Sequence, residues 1–438
     1  MRYMCIYWLS LSTPSIIACN MILEFSVENF LSFKDRVTLN MDSSSSKKIS
    51  QNLINLDDGN HLLKSALIYG GNSAGKSNLM KAISFMKSMV KNSHTFNVNS
   101  KIPIVTPFKL SEASNKKPSK FELIFTCSGK TYRYGFSCNS TKVFEEYLFE
   151  ISKKKEKLVF SRTNTKSFNF GIDAEKQKLY PSQTIDNTLY LSRATQLGYY
   201  KTKHIFEYIS KNIIVNMNLT HGDSSNNWMD YTITKIKEDS QFKKKVLDIL
   251  KKADFGGIEN FLVNVQKIPI KKVTFGFSNE NSNFESTDDM EDVYKVKTMH
   301  RSDDGKIVYF DLIDESEGTR KTLSILGPLL DIMEKDKVLF IDELGSSLHP
   351  EITRMIVKLF NSKNNKNGQL IFTTHDTTLL DNELFRKDQI YFCSKEQNSF
   401  TTLSSLLDYD IRQDIDFERA YLNGRVGGVP FIDETLYE

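Results

Sequence analysis

Gly70-Gly71-Asn72-Ser73-Ala74-Gly75-Lys76-Ser77 matches G-x-x-x-x-G-K-[ST], and its surroundings match as well. Residues 65–69 form a short apolar run with strand character, and residues 76–90 carry Leu79, Ile83 and Met86 at helical spacing. Glycines let a backbone close around phosphate with successive N–H groups pointing inward, and the helix that follows adds the positive end of its dipole. Strand, glycine-rich turn and helix in that order argue against a chance turn. The reading assigns Gly70, Gly71, Asn72, Ser73, Ala74, Gly75, Lys76 and Ser77 to nucleotide binding. Lys76 would reach the β- and γ-phosphates, and the Ser77 hydroxyl would ligate Mg²⁺.

Three later stretches extend this reading. Val338-Leu339-Phe340-Ile341 is a wholly apolar run that ends in Asp342-Glu343. Two acids at the end of a buried strand suit Mg²⁺ coordination by Asp342 and polarisation of the attacking water by Glu343. The plainer alternative is that the pair caps a helix over 346–351; the presence of 70–77 in the same chain favours catalysis. Leu370-Ile371-Phe372-Thr373-Thr374-His375 is a second apolar run, with His375 at its end. Phosphate sites of open α/β sheets lie at strand termini, so His375 reads as a γ-phosphate sensor against the alternative of a surface histidine. Residues 314–321 precede an apolar-periodic helix over 323–333. There Ser316 and Gly318 can offer a hydroxyl and backbone N–H groups to a phosphate, or Ser316 can simply cap the helix.

The remainder of the chain sets limits. With 438 residues there is room for two or three lobes, and 39% hydrophobic residues provide for a real core. A net charge of +4 gives no bulk basic signature for nucleic acid, though a local patch remains open. Cys5, Cys19, Cys127, Cys138 and Cys393 are scattered and odd in number, which fits a reducing, cytoplasmic compartment rather than a zinc or disulfide framework. Residues 1–20 stand apart and read as an extension upstream of a start at Met21 rather than a signal peptide; no stretch reaches the length of a membrane span.

Residues 22–40 read as two strands joined by a bend over 29–35, and residues 107–162 as β-rich, with hairpins at Ser128-Gly129 and at the basic turn 153–157, a solvated tip. Residues 196–252 read as mainly helical, without the sustained heptads of a coiled-coil arm, and the acidic segment 278–292 as a mobile loop. Alternating strands and helices resume after 307. The fold class expected is α/β, a P-loop NTPase of ABC/SMC-head type. It has a mixed sheet, an N-terminal antiparallel β subdomain and a mainly helical insertion. The expected division is 1–20, 21–195, 196–300 and 301–438.

Taken together, residues 21–438 resemble the prokaryotic AAA-15 and abortive-infection ATP/GTP phosphatases, with their Rlo-type and Abi-type phage-defence ATPases. The stretches that carry the likeness are Leu23-Glu24-Phe25-Ser26-Val27-Glu28-Asn29-Phe30, residues 70–77, 315–321, Asp342-Glu343-Leu344 through Ser347-Leu348-His349-Pro350, 373–376, Arg386-Lys387-Asp388-Gln389-Ile390 and Tyr421-Leu422-Asn423-Gly424-Arg425. The resemblance implies ATP and Mg²⁺ as ligands and a head-to-tail homodimer or higher oligomer. In it, residues 70–77 of one subunit face Ser316 and Gly318 of the other. It further implies a separate effector protein, nuclease or toxin, and no membrane partner. Ser-Glu-Gly-Thr-Arg-Lys departs from the transporter Leu-Ser-Gly-Gly-Gln, which argues against a transporter subunit. A DNA-repair ATPase of RecF/SMC type, with DNA as its partner, is the alternative. Asp408, Asp410, Asp414 and Asp416 mimic metal spacing but read as a solvated acidic segment, residues 424–430 as a structural turn, and Gln196 as an open candidate for the Q-loop.

Overall fold

The computed structural model describes residues 20–429, apart from 47, 57–58, 153–154, 218–221, 254, 256, 279–280, 347, 397–399 and 412–414. The expected extension over 1–20 thus lies, except for Asn20, outside the described residues.

The chain opens with β1 (Met21–Glu28) and β2 (Val37–Asn40), paired antiparallel with Val27 opposite Val37. A small ribbon, β3 (Leu53–Asn55) and β4 (His61–Leu63), follows. Then β5 (Ser65–Tyr69) runs into the glycine loop, and α1 (Lys76–Asn92) leaves it. After a single turn, α2 (Glu112–Asn115), an antiparallel meander is built from β6 (Ser119–Cys127), β7 (Lys130–Cys138), β8 (Val143–Ser152), β9 (Lys155–Thr163) and β10 (Ser167–Phe170). Short helices α3 (Ala174–Gln177), α4 (Tyr190–Gln196) and α5 (Lys203–Glu207) lead to β11 (Ile213–Asn216). Next come α6 (Gly222–Glu238), α7 (Ser240–Lys252), and a ribbon of β12 (Asn260–Ser278), β13 (Asn281–Arg301) and β14 (Ile307–Asp311). The last third alternates α8 (Glu317–Glu334), β15 (Val338–Ile341), α9 (Pro350–Asn361) and β16 (Gln369–Thr373), then β17 (Ile390–Lys395), β18 (Thr401–Ser405) and α10 (Phe417–Leu422).

Two sheets organise these elements. One is antiparallel, in the order β10-β9-β8-β7-β6-β1-β2; the other runs β11-β15-β16-β5-β17-β18 and is parallel throughout except for β18. The second sheet is covered on both faces. Ala66, Ile68, Val338, Phe340 and Ile371 pack in one core with α1 and the antiparallel sheet, while Leu67, Leu339, Ile341, Leu370 and Phe372 pack in another with α8 and α9. This two-sided burial explains why these strands read as unbroken apolar runs instead of alternating ones. Each fully buried Leu, Ile or Phe contributes about 1.5–3 kcal/mol, so the strand ends make a rigid platform.

The structure departs from the sequence expectation in two places. The region 196–252 contains a strand, β11, which forms the edge of the parallel sheet beside β15. Its four residues are too few to show a period of their own. The acidic segment 278–292 is not a loop: β13 pairs with β12 over the whole run from Asn260↔Met299 to Ser278↔Asn281. Its composition is that of a loop; the backbone ladder with β12, the strand that immediately precedes it in the chain, makes it a strand.

Candidate functional site

Strands β15, β16 and β5 lie side by side and parallel, so three of the sequence-predicted groups emerge at one edge of the sheet. Residues 70–77 leave β5, Asp342 and Glu343 leave β15, and His375 follows β16. This is the carboxyl-end location where open α/β sheets bind ligands.

Two glycines in the loop have no substitute. Gly70 has φ +154°, and a Cβ there would stand 2.5 Å from the Cys393 carbonyl oxygen; Gly75 has φ +107°, and its Cβ would stand 2.3 Å from Thr401 Oγ1. The crowding comes from the bracing of the loop. The Thr401 hydroxyl donates to the Ala74 carbonyl (2.9 Å) and pairs with the Ser32 hydroxyl (2.8 Å), while Asn78 Nδ2 donates to Ser32 Oγ (2.8 Å). Ser73 adopts φ +62°, and Ala74 is buried behind it. On the other side, the Tyr421 hydroxyl donates to the Gly428 carbonyl (3.1 Å), and a Cβ on Gly428 would come within 3.2 Å of Gly70 Cα. The expected turn over 424–430 is therefore structural and rests directly on the start of the loop, though Pro430 lies outside the described residues.

Lys76 is buried, and its Nζ donates to the Gly70 and Gly71 carbonyls at 2.8 and 3.2 Å. Burial pushes its pKa down, against the pull of Cys393, Asp342 and Glu343 nearby. Asp342 is also buried; its N–H donates to the Asn216 carbonyl (2.9 Å) and its Oδ1 accepts from the Thr373 hydroxyl (2.7 Å). The Glu343 N–H donates to the same Thr373 oxygen at 2.8 Å, and Glu343 sits at φ +57°, a left-handed conformation that costs a non-glycine residue about 1–2 kcal/mol. His375 keeps an exposed edge. Desolvation and then the Lys76 ammonium push its pKa below the ordinary histidine value, opposed by Glu343 and Asp342. Lys76, Asp342, Glu343 and His375 are thus electrostatic neighbours.

Ser316 and Gly318 stand apart from this group. Ser316 caps α8, its Oγ accepting the Thr319 N–H at 3.0 Å, and it is exposed. A Cβ at Gly318 would meet only Ser316 Oγ, at 3.8 Å. Among the described residues, no hydrogen bond within the chain joins either one to 70–77 or to the two acids. The same helix does reach the site from behind: Lys321 donates to the Ser346 carbonyl just past Glu343. Gln196 hydrogen-bonds to Arg193 Nη1 (2.7 Å) at the exposed end of α4, and none of its bonds reaches the loop. Asp408 and Asp416 serve as caps, accepting from Ser405 N (2.8 Å) and Arg419 N (3.1 Å); Asp414 lies outside the described residues.

Sequence reasoning missed three contributors: Thr373, Asn216 and Thr401. Thr373 stood in the run that ends at His375 and in the stretch 373–376 without being given a role; the other two sit on strands that reach the site through sheet pairing alone.

The arrangement fits a nucleoside triphosphate with Mg²⁺. The glycine loop leaves a concave backbone that a Cβ would fill, and a buried ammonium with carbonyl partners only is ready for an anion. A buried carboxylate and the half-buried Ser77 are oxygen donors of the kind Mg²⁺ takes.

A family model described as "AAA domain, putative AbiEii toxin, Type IV TA system" matches residues 65–381, well over half of the chain. Among solved structures, the chain is similar to the SMC head bound to the C-winged helix domain of ScpA, at 14% identity and a TM-score of 0.43, covering 92% of this chain and 99% of that one. It is similar also to the SMC head domain from Thermotoga maritima, at 12% identity and a TM-score of 0.40, covering 88% and 98% respectively. No curated protein matches the chain.

Proposed function

The chain belongs to this AAA-domain family and is a P-loop ATPase, and from that premise we propose that it is the regulatory subunit of a prokaryotic phage-defence system of the abortive-infection kind. In this reading it is a nucleotide-gated dimer that controls a separate effector, a nuclease or a toxin. The observation that carries the gating is the split between its two groups of residues. Lys76, Asp342, Glu343 and His375 converge at one sheet edge, while exposed Ser316 and half-buried Gly318, at the start of α8, have no hydrogen bond to them among the described residues of their own chain. A second copy, placed head to tail, brings the missing pair.

Residues 70–77 hold the phosphates, with Lys76 on the β- and γ-groups, and Ser77 and Asp342 would hold Mg²⁺. Bound Mg²⁺ supplies neutralisation of charge on the phosphate oxygens. Glu343 orients and polarises the attacking water, and its backbone, fixed by Thr373, limits the directions its carboxylate can take. His375, largely neutral at pH 7 given its lowered pKa, can donate one hydrogen bond to a γ-phosphate oxygen and register its loss.

Mass-resolved gel filtration of Glu343→Gln with ATP and Mg²⁺, beside the wild-type hydrolysis rate, tests the gating. An ATP-dependent dimer in the variant with turnover only in wild type supports it; a monomer with ATP overturns it. The defence role is tested separately, by co-expression with the genomic neighbours and phage challenge. No protection and no growth toxicity would remove it.

A DNA-repair ATPase of RecF/SMC type is a second reading, favoured by the exposed Lys244, Lys251 and Lys252 of α7. It requires ATP turnover stimulated by duplex DNA and a steep fall of that stimulation with salt.

A further inference from the structure

Helices α7, α8 and α9 enclose a groove of about 710 Å³ at the opposite end of the parallel sheet from the nucleotide loop. Its place follows from the chain path: α9 ends at Asn361 and the chain enters β16 at Gln369, and α8 ends at Glu334 just before β15. The floor is apolar. Leu330 and Met333 are almost buried, and Ile249, Met355 and Leu359 are half-exposed. Methionine side chains adapt to irregular partners, which suits a docking floor.

The rim is cationic, and its lysines divide into two sets. Lys245 is paired with Glu334. Lys252, Lys363 and Lys366 are exposed and have no ion pair among the described residues, and Asp248 is the one further acid on this rim. Lys363 and Lys366 also line the adjoining polar cleft, where buried Lys64 donates its Nζ to the Ser362 carbonyl (2.9 Å). Positive charge therefore continues past the end of the apolar floor.

We propose that this groove docks an amphipathic helix of a partner protein, apolar on one face and acidic along its flank. Its apolar face covers Ile249, Met355 and Leu359, and its carboxylates meet Lys252, Lys363 and Lys366. Apolar anchors at helical spacing in a groove are a recurring mode of protein recognition. Nucleic acid would use the lysines but leave the apolar floor uncovered, so a helix accounts for more of the surface. The site has a route to the nucleotide end. An occupant on Leu330 and Met333 rests on the last turns of α8, about 27 Å long, whose first residues are capped by Ser316. The proposal stands on this surface and does not require the phage-defence reading.

The test uses the full chain and three fluorescein-labelled probes. These are a helical peptide with leucines at i, i+3, i+4 spacing flanked by glutamates, the same peptide with lysines for the glutamates, and a duplex DNA. Anisotropy is expected to show binding of the acidic peptide only. That binding should weaken about tenfold in Met355→Glu and again in Lys363→Glu/Lys366→Glu, about 1.4 kcal/mol for each tenfold step. Wild-type melting temperature and ATP turnover in both variants would show that they are folded. Acidic-peptide binding that ignores Met355→Glu, or no binding of that peptide, overturns the proposal. So does DNA binding that is lost in the lysine variant and kept in Met355→Glu, which would assign the face to nucleic acid.

Discussion

The Thr373 hydroxyl donates to Asp342 Oδ1 at 2.7 Å and accepts the Glu343 N–H at 2.8 Å, so one side chain at the end of β16 orients both acids at the end of β15. Thr373→Val keeps the shape and removes the hydroxyl. The buried Asp342 carboxylate and the Glu343 N–H then lose a partner, at about 1–3 kcal/mol. The variant should melt earlier and turn ATP over at least about tenfold more slowly while nucleotide affinity holds; Thr373→Ser should recover most of both. Melting curves and kcat measured beside ATP affinity check this. Unchanged kcat in the valine variant would mean that the acids hold their geometry without the hydroxyl.

The left-handed backbone at Glu343 separates stability from catalysis. Glu343→Gly removes the strain of φ +57° and should raise stability by about 1 kcal/mol, while turnover falls by about 10²-fold or more. Glu343→Gln should lose the turnover and keep the strain. A glycine variant that hydrolyses ATP at the wild-type rate would remove Glu343 from the mechanism.

Gly75 is closed in by Thr401. Gly75→Ala should weaken ATP binding at least about tenfold and lower the melting temperature, because its Cβ enters within 2.3 Å of Thr401 Oγ1. Adding Thr401→Ala should relieve part of the clash but leave the φ +107° strain, so the double variant should melt above the single one yet below wild type. Calorimetric ATP titration of both variants decides the matter.

Burial pushes the Lys64 pKa down to about 8 from 10.5. Between those values the unfolded chain binds more protons than the folded one, so stability from this group rises with pH across that window, and the cost of the buried charge is greatest below pH 8. The melting temperature of Lys64→Met relative to wild type should therefore be highest near neutrality and decline steadily toward pH 10. A difference that does not vary with pH would show that Lys64 keeps its ordinary pKa.

His375→Ala should retain ATP affinity within a few-fold and lose about 10²–10³-fold in turnover, by comparison with the removal of a single oxyanion-hole donor. Because burial and Lys76 both lower the His375 pKa, any acid limb in the wild-type rate that belongs to this residue should have its midpoint below 6.5 and be missing in the alanine variant. Rates measured across pH 5–8 test both statements.

Much of the site was legible because each part carries a local signature. A glycine loop followed by Lys76 and Ser77, acids closing the apolar run at 338–341, and a histidine closing the run at 370–373 are consequences of strands that must be buried and of a backbone that turns too tightly for a Cβ. The same logic gave the α/β class and the antiparallel hairpins around Ser128-Gly129. It failed over 278–292, where β13 looks like solvated acidic chain until β12 is laid beside it, and at Ile213–Asn216, a strand too short to announce itself.

What the sequence determined by itself is the chemistry: which backbone wraps closely, which ammonium and carboxylates stand at strand ends, and which helix Ser316 caps. These depend on residue type and short-range spacing. Only the tertiary structure decided how the pieces meet. The strand order β11-β15-β16-β5-β17 puts Thr373 between the acids and the loop; β18 and the bend at Ser32 close on Gly75; and Ser316, exposed at the start of α8, has no hydrogen bond to Lys76 among the described residues. Those relationships join residues from 31 positions apart, as in Thr373 with Asp342, to 369, as in Thr401 with Ser32; they are set by burial of both faces of one sheet, and no local pattern encodes them.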